Sequence, residues 1–132
     1  MATKKTAPSK KHILLVDDDL ELAQTYKELI EAHGYDVSTA SNGVLAIKHF
    51  LNRNVDAIVC DLKMPELEGD MFYTAVERIQ PGLHKRFIFI TGVADDPTFE
   101  VFIAKTKAPV LRKPVPIKKL LAEIKRVAGR AS

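Results

Sequence analysis

The sequence predicts an α/β fold, a doubly wound (βα)5 domain with a five-stranded parallel sheet in the strand order 2-1-3-4-5. Three observations predict it. From His12 onward, five short apolar runs alternate with longer amphipathic segments. Several of those runs are apolar without interruption, as strands covered on both faces must be. The chain is also short, 132 residues at 46% hydrophobic content, which buries one sizeable core but hardly two. Five strand-then-helix units in that length imply right-handed crossovers that return every strand in the same direction.

The candidate strands are 12–17, 35–40, 55–60, 86–91 and 109–112. Between them, apolar residues recur at helical spacing. Leu22, Tyr26, Leu29 and Ile30 make one face, Val44, Ile47 and Leu51 a second, and Met71, Ala75 and Ile79 a third. A fourth helix is expected around 99–107. The fifth is the most regular: Ile117, Leu120, Leu121, Ile124 and Val127 form an apolar stripe, with Lys118, Lys119, Lys125 and Arg126 elsewhere. Asp19 stands where an N-cap of the first helix belongs.

Charge narrows the function. The formal net charge is +3, but residues 1–11 carry four lysines and no acid, and 112–132 carry seven basic residues against Glu123 alone. The stretch between them is acidic, with its acids gathered where apolar runs end, which suits a cation better than a nucleic acid. Residues 1–11 have the composition of a disordered basic arm, leaving one domain over 12–130. The single cysteine, Cys60, ends an apolar run and reads as a buried thiol in a reducing compartment. No apolar run is long enough to span a bilayer, and no secretory leader is visible, so a cytoplasmic protein without membrane contact is expected.

In doubly wound folds, ligands bind outside the carboxyl ends of the strands where strand order reverses. Here Asp17 and Asp18, Asp61, Thr91 and Lys113 each follow an apolar run. Two carboxylates about 4 Å apart repel by roughly 4 kcal/mol at an effective dielectric near 20, so converging acids require a counter-charge. Mg2+ suits them, because it takes one or two carboxylates and completes its shell with water and phosphate oxygens. A carboxylate such as Asp61 can accept a phosphoryl group when the charge on the transferring oxygens is offset. Lys113 supplies positive charge beside it, and Pro114 restricts the lysine backbone and admits a cis peptide. Thr91 offers a hydroxyl to a phosphoryl oxygen.

The set resembles the receiver domain of two-component response regulators, a CheY-like, flavodoxin-like fold. The matching pieces are Leu14-Leu15-Val16-Asp17-Asp18, Asp61-Leu62-Lys63-Met64-Pro65-Glu66-Leu67-Glu68-Gly69, Phe89-Ile90-Thr91-Gly92 and Leu111-Arg112-Lys113-Pro114, spread over about 12–128. The resemblance implies that Asp61 takes a phosphoryl group from a phosphohistidine of a histidine kinase or histidine phosphotransfer protein. It further implies that Asp18 binds Mg2+ directly, Asp17 through water, and the backbone carbonyl of Lys63 as another ligand, while Thr91 and Lys113 move toward the phosphoryl oxygens. The output protein is unknown. A monomer or weak homodimer without direct nucleic-acid contact is expected.

Three features depart from the family pattern. Val110 stands where an aromatic rotamer switch is common. The approach to the last strand reads Ala104-Lys105-Thr106-Lys107-Ala108-Pro109 in place of a Gly-Ala-Asp-Asp-Tyr-like segment. Lys63 and Val93, two residues beyond Asp61 and Thr91, predict slow self-dephosphorylation, since Val93 orients no water and Lys63 shields the phosphoryl group. The pattern also suits a receiver module of a hybrid histidine kinase or larger regulator, or a degenerate receiver acting only by contact. A haloacid-dehalogenase-like phosphatase would use Asp17-Asp18-Asp19, but it needs a later acidic pair where this chain has only Glu123. The first strand-to-helix loop lacks the phosphate cradle of a flavin-binding module.

Overall fold

A computed structural model describes residues 10–64, 68–92 and 96–129. Its strands are β1 (His12–Val16), β2 (Asp36–Ala40), β3 (Ala57–Asp61), β4 (Phe87–Thr91) and β5 (Val110–Arg112). The helices are α1 (Leu20–Glu31), α2 (Gly43–Asn52), α3 (Gly69–Ile79), α4 (Pro97–Lys105) and α5 (Ile117–Ala128), with a 3-10 turn at Leu83–Arg86 before β4. All strand pairs are parallel and the order is β2-β1-β3-β4-β5, as the alternation of runs predicts. The expected basic arm lies almost wholly outside the described residues.

Strand alternation divides the core between the two faces of the sheet. Ile13, Leu15, Val59, Ile88 and Ile90 pack against Tyr26 and Ile30 of α1 and Leu120 and Ile124 of α5. Leu14, Val16, Ile58, Cys60, Phe87 and Phe89 face the other way, onto Ala46 and Phe50 of α2, Phe72 and Val76 of α3, and Phe99 of α4. Every residue of β1, β3 and β4 is buried, which accounts for their unbroken apolar runs. Three helices start on side-chain caps. Asp19 accepts from the Leu22 N–H at 3.1 Å, Asn42 from Leu45 at 2.9 Å, and Asp96 from Thr98 at 2.9 Å with Pro97 opening α4.

The helix faces of α2 and α3 differ from the sequence expectation. In α2 the buried residues are Gly43, Ala46 and Phe50, while Val44 and Leu51 are exposed, Leu51 by 62%. In α3 they are Gly69, Phe72 and Val76, while Met71 and Ile79 point outward at 58% and 46% exposure. Each helix is rotated by about one residue, about 100°. Counting only large aliphatic residues overlooks that glycine and alanine let a helix backbone approach the sheet, with a phenylalanine filling the space beyond. In α1, likewise, Leu29 is 38% exposed and Ala23 is buried in its place.

This phasing is measurable. Phe50→Ala should destabilise the domain by about 3 kcal/mol in urea unfolding, whereas Leu51→Ala should stay within about 0.5 kcal/mol of the parent. Equal losses would return α2 to the face containing Leu51.

Candidate functional site

The strand order sets β1 beside β3, with Val16 paired to Cys60, so the residues that follow each strand meet at one sheet edge. Asp17, Asp18 and Asp61 each offer a carboxylate oxygen within 4.8 Å of the other two, the one such acidic or metal-ligating group found among the described residues. Asp17 and Asp61 are buried and Asp18 is exposed, so the cluster opens to solvent on the Asp18 side. The loop fixes Asp17 from within, because its Oδ1 accepts the Asp19 N–H at 2.9 Å.

Lys113 reaches the cluster from the far side. It directly follows β5, and its backbone N–H donates to the Thr91 carbonyl at 2.9 Å. Its Nζ lies 2.9 Å from both Asp17 Oδ2 and Asp61 Oδ2. The Lys113–Pro114 peptide is cis. Thr91 ends β4 fully buried, paired with Arg112 of β5. Lys63 is exposed, and its N–H approaches Asp61 Oδ1 at 3.3 Å. Pro65, Glu66, Leu67 and Val93, all named by the sequence pattern, lie outside the described residues.

The electrostatics follow from burial. Desolvation raises the Asp61 pKa above the ordinary carboxylate value, with the Lys113 hydrogen bond and charge opposing it and Asp17 adding to it. Burial works against the Lys113 charge, but the close pairing with Asp17 and Asp61 outweighs it, and the lysine pKa is raised. Three carboxylates against one ammonium leave the cluster short of positive charge. Asp17, 1% exposed, keeps an Oδ2 without a well-aligned donor, although Lys113 Nζ stands 2.9 Å from it. An all-oxygen donor set with one accessible member and a charge deficit fits Mg2+. Cys60 is different: burial pushes its thiol pKa well up, and it donates to the Asp61 carbonyl at 3.1 Å, so it is structural.

Two residues that position the site carried no role in the sequence reading. Tyr26 of α1 donates its hydroxyl to the Val115 carbonyl at 3.2 Å and accepts from the Val115 N–H at 3.3 Å, tying down the chain just after Lys113. Its place in an apolar helical stripe signals packing only. Gly69 lies against the backbone of Asp61 and Leu62: a Cβ there would fall 2.5 Å from the Asp61 carbonyl oxygen and 2.9 Å from Leu62 Cα. Its N–H donates to the Leu62 carbonyl at 2.8 Å. A glycine eight residues past a strand-end aspartate was the available signal.

Fold and site together define a class: a doubly wound domain with an acidic, lysine-paired carboxylate at its switch point. The response regulator receiver domain family matches residues 13–125, and the chain belongs to it. Receiver domains are signalling domains of two-component phosphorelays, and they bind Mg2+ in an acidic pocket of this kind. The chain is 30% identical over 117 residues to the response regulator receiver protein CpdR of Brucella abortus, covering 89% of this chain and 96% of that protein. It is 31% identical over 117 residues to the sensor kinase CckA of the same organism, covering 87% of this chain but 12% of the kinase. The crystal structure of a CheY-like receiver domain protein from Methanospirillum hungatei superposes with a TM-score of 0.80 at 30% identity, over 89% of this chain and 93% of that one. The chain thus spans a small part of some relatives and nearly all of others.

Two variants probe the geometry. Lys113→Met should destabilise the Mg2+-free domain by about 2–3 kcal/mol near neutral pH, since two buried carboxylates lose their cation. The loss should shrink in mild acid as Asp61, its pKa raised by burial, takes up a proton. In the parent, the raised lysine pKa makes the Lys113 contribution complete below 10.5, the ordinary value, and lost as pH rises through the folded-state value. Melting curves across pH check both. Gly69→Ala should weaken Mg2+ binding along with stability, read by metal titration of the folded variant, because relief of the clash moves the Asp61–Leu62 backbone.

Proposed function

We propose that Asp61 is the phosphoryl acceptor of this receiver, taking the group from a phosphohistidine on a histidine kinase or histidine phosphotransfer protein. One observation carries the assignment: of the two buried carboxylates in the cluster that Lys113 meets at 2.9 Å, Asp61 takes the formed hydrogen bond from the lysine, whereas Asp17 is tied into its own loop by the Asp19 N–H. An Asp61 carboxylate oxygen attacks phosphorus, the P–N bond of the donor breaks, and the imidazole nitrogen leaves with the bonding electron pair and takes up a proton. Asp18 and Asp61 would hold Mg2+ directly, with Asp17 acting largely through water and the Lys63 carbonyl as a further ligand. The ion supplies charge neutralisation for the transferring oxygens. Lys113 pairs with Asp61 beforehand and with a phosphoryl oxygen afterwards, and the Thr91 hydroxyl donates to another.

The rest of the reading follows the family. The domain works by switching between two states that a partner protein distinguishes, in the cytoplasm, as a monomer or weak homodimer, and not as a turnover enzyme. Val110 offers no aromatic ring to report the state, so the output partner reads another feature of the surface. Lys63 is exposed beside Asp61, which supports a shielded acyl phosphate and slow self-dephosphorylation. Similarity to both a stand-alone receiver protein and a sensor kinase leaves the domain's setting to phosphotransfer profiling against the host's kinases.

Exposure to a small phosphodonor with Mg2+ should add one phosphoryl group by intact mass, and Asp61→Asn should abolish it while Asp18→Asn slows it. No labelling of the unaltered protein would leave a receiver acting by contact alone, and labelling that survives Asp61→Asn but not Asp17→Asn would point to the phosphatase-like arrangement. The acyl phosphate should persist for minutes or longer. Decay within seconds in the presence of Mg2+ would reject the shielding role of Lys63.

A further inference from the structure

At the amino ends of β4 and β5, away from the phosphoryl site, lies a cavity of about 480 Å³. Its lining comes from four elements: α3, the 3-10 turn, the connection from α4 to β5, and the end of α5. Hydrogen bonds fix these walls. The Pro109 carbonyl accepts the Phe89 N–H at 2.8 Å, Thr106 Oγ1 accepts the Ala108 N–H at 3.2 Å, and Arg86 donates to the Val127 carbonyl at 3.3 Å. Tyr73 of α3 is anchored by ring contacts with Phe87, Phe89 and Phe102.

Charge in the cavity is lopsided. Lys85, Lys105, Lys107 and Arg126 bring four cations, against Glu77 in the lining and Glu123 beside Arg126. Arg126 is matched, since its Nε and Nη2 donate to Glu123 Oε1 at 2.9 and 2.5 Å. Glu77 is turned to His84, whose Nδ1 lies 3.5 Å from its Oε2. The ammonium groups of Lys85, Lys105 and Lys107 meet no carboxylate and form no hydrogen bond among the described residues. Lys105 stands in the last turn of α4, where a cation offsets the carboxyl end of the helix. Lys85 and Lys107 lie outside the α-helices, so neither a carboxylate nor a helix end accounts for them. Two unanswered ammonium groups on one concave site match a phosphate monoester, which carries nearly two negative charges at neutral pH.

Size and polarity extend the match. Cavities of about 300–1,000 Å³ with apolar walls and a few convergent polar groups hold organic ligands, and a bare anion fills only a corner of one. Here Tyr73, Ala108, Pro109 and Val127 supply the apolar wall. The Tyr73 hydroxyl has no hydrogen-bond partner among the described residues, and His84 Nδ1 is shielded from solvent without a formed bond. Both are groups that the polar atoms of a ligand satisfy.

We propose that this cavity binds an organic phosphate monoester of about nucleotide size, its phosphate held by Lys85 and Lys107 and its apolar body against Tyr73, Pro109 and Val127. Bound there, the ligand joins the α4–β5 connection to the 3-10 turn and the end of α5. The acidic cluster at the carboxyl edge repels the same anion, so the two ends of the sheet take ligands of opposite charge.

Adenosine 5′-monophosphate titrated into the full chain in Mg2+-free, low-salt buffer tests this, read from amide shifts in nuclear magnetic resonance spectra. The shifts should saturate and centre on Lys85, Lys107 and Ala108, and inorganic phosphate should act on the same amides more weakly. Lys85→Gln and Lys107→Gln, both at exposed positions, should each weaken binding about tenfold, the loss of one charge-assisted hydrogen bond. Lys118→Gln and Lys119→Gln on α5, outside the cavity, should leave it unchanged. Asp61→Asn should also leave it unchanged, which separates this site from the phosphoryl acceptor. Shifts that never saturate, equal losses in all four lysine variants, or shifts centred on Asp18 and Asp61 would overturn the proposal. Inorganic phosphate binding as tightly as the nucleotide would reject the part assigned to the apolar wall.

Discussion

Everything at the carboxyl edge of the sheet depends on burying more negative than positive charge in one place. Asp17 and Asp61 end neighbouring strands, and Lys113 touches both at 2.9 Å. Separated from that lysine, each carboxylate would carry an uncompensated desolvation cost of several kcal/mol. The strand order follows from the same requirement, because only a β1–β3 neighbour pair brings the two aspartates together while β4 and β5 carry Thr91 and Lys113 toward them. Supporting contacts then converge on a few backbone atoms. Tyr26 holds Val115, Thr91 holds the Lys113 N–H, and the missing side chain of Gly69 makes room for the Asp61 carbonyl.

The sheet and the charged set were legible in the sequence for a physical reason. Strands covered on both faces leave no polar position until they emerge, so the first polar residue after each run marks the edge. Asp17, Asp61 and Thr91 stand at such places, and the observed strands fall within two residues of the expected ones at every end. The helices were less legible because helical spacing says which residues share a face without saying which face turns inward. In α2 and α3 the larger aliphatic side chains mark the outer face, and Ala46 with Phe50, or Gly69 with Phe72 and Val76, form the inner one. Tyr26 and Gly69 were hidden for the same reason: a hydroxyl bonded to a loop and a Cβ that cannot fit are both facts about the opposite surface.

The position of Val110 shows how one departure from the family pattern is accommodated. It pairs with Phe89 across β4 and β5 and packs at the margin of the second core. The aromatic mass absent from β5 stands on neighbouring elements: Phe102 of α4 meets Phe89 edge-on at 5.3 Å, and Tyr73 of α3 contacts Phe87, Phe89 and Phe102. These rings join α3 and α4 to the strand that ends in Thr91. At this level β5 presents only a small aliphatic side chain, so the aromatic packing on Phe89 comes from α3 and α4.

Charge also bears on the two states proposed for this site. Three carboxylates and one ammonium sum to an excess of two negative charges, which a divalent cation balances. Under the role proposed for Asp61, converting its carboxylate with one negative charge to an acyl phosphate with nearly two adds about one negative charge and moves it outward, to oxygens beyond the carboxylate plane. Lys113 already answers to both Asp17 and Asp61, and the added charge draws it toward the new oxygens and away from Asp17. Because the Lys113 N–H is bonded to the Thr91 carbonyl, and the chain after Pro114 is held by Tyr26 at Val115, that pull is resisted at two fixed points. With those two points fixed, the side chain of Lys113 is freer to follow charge placed on Asp61 than the backbone of β5 is.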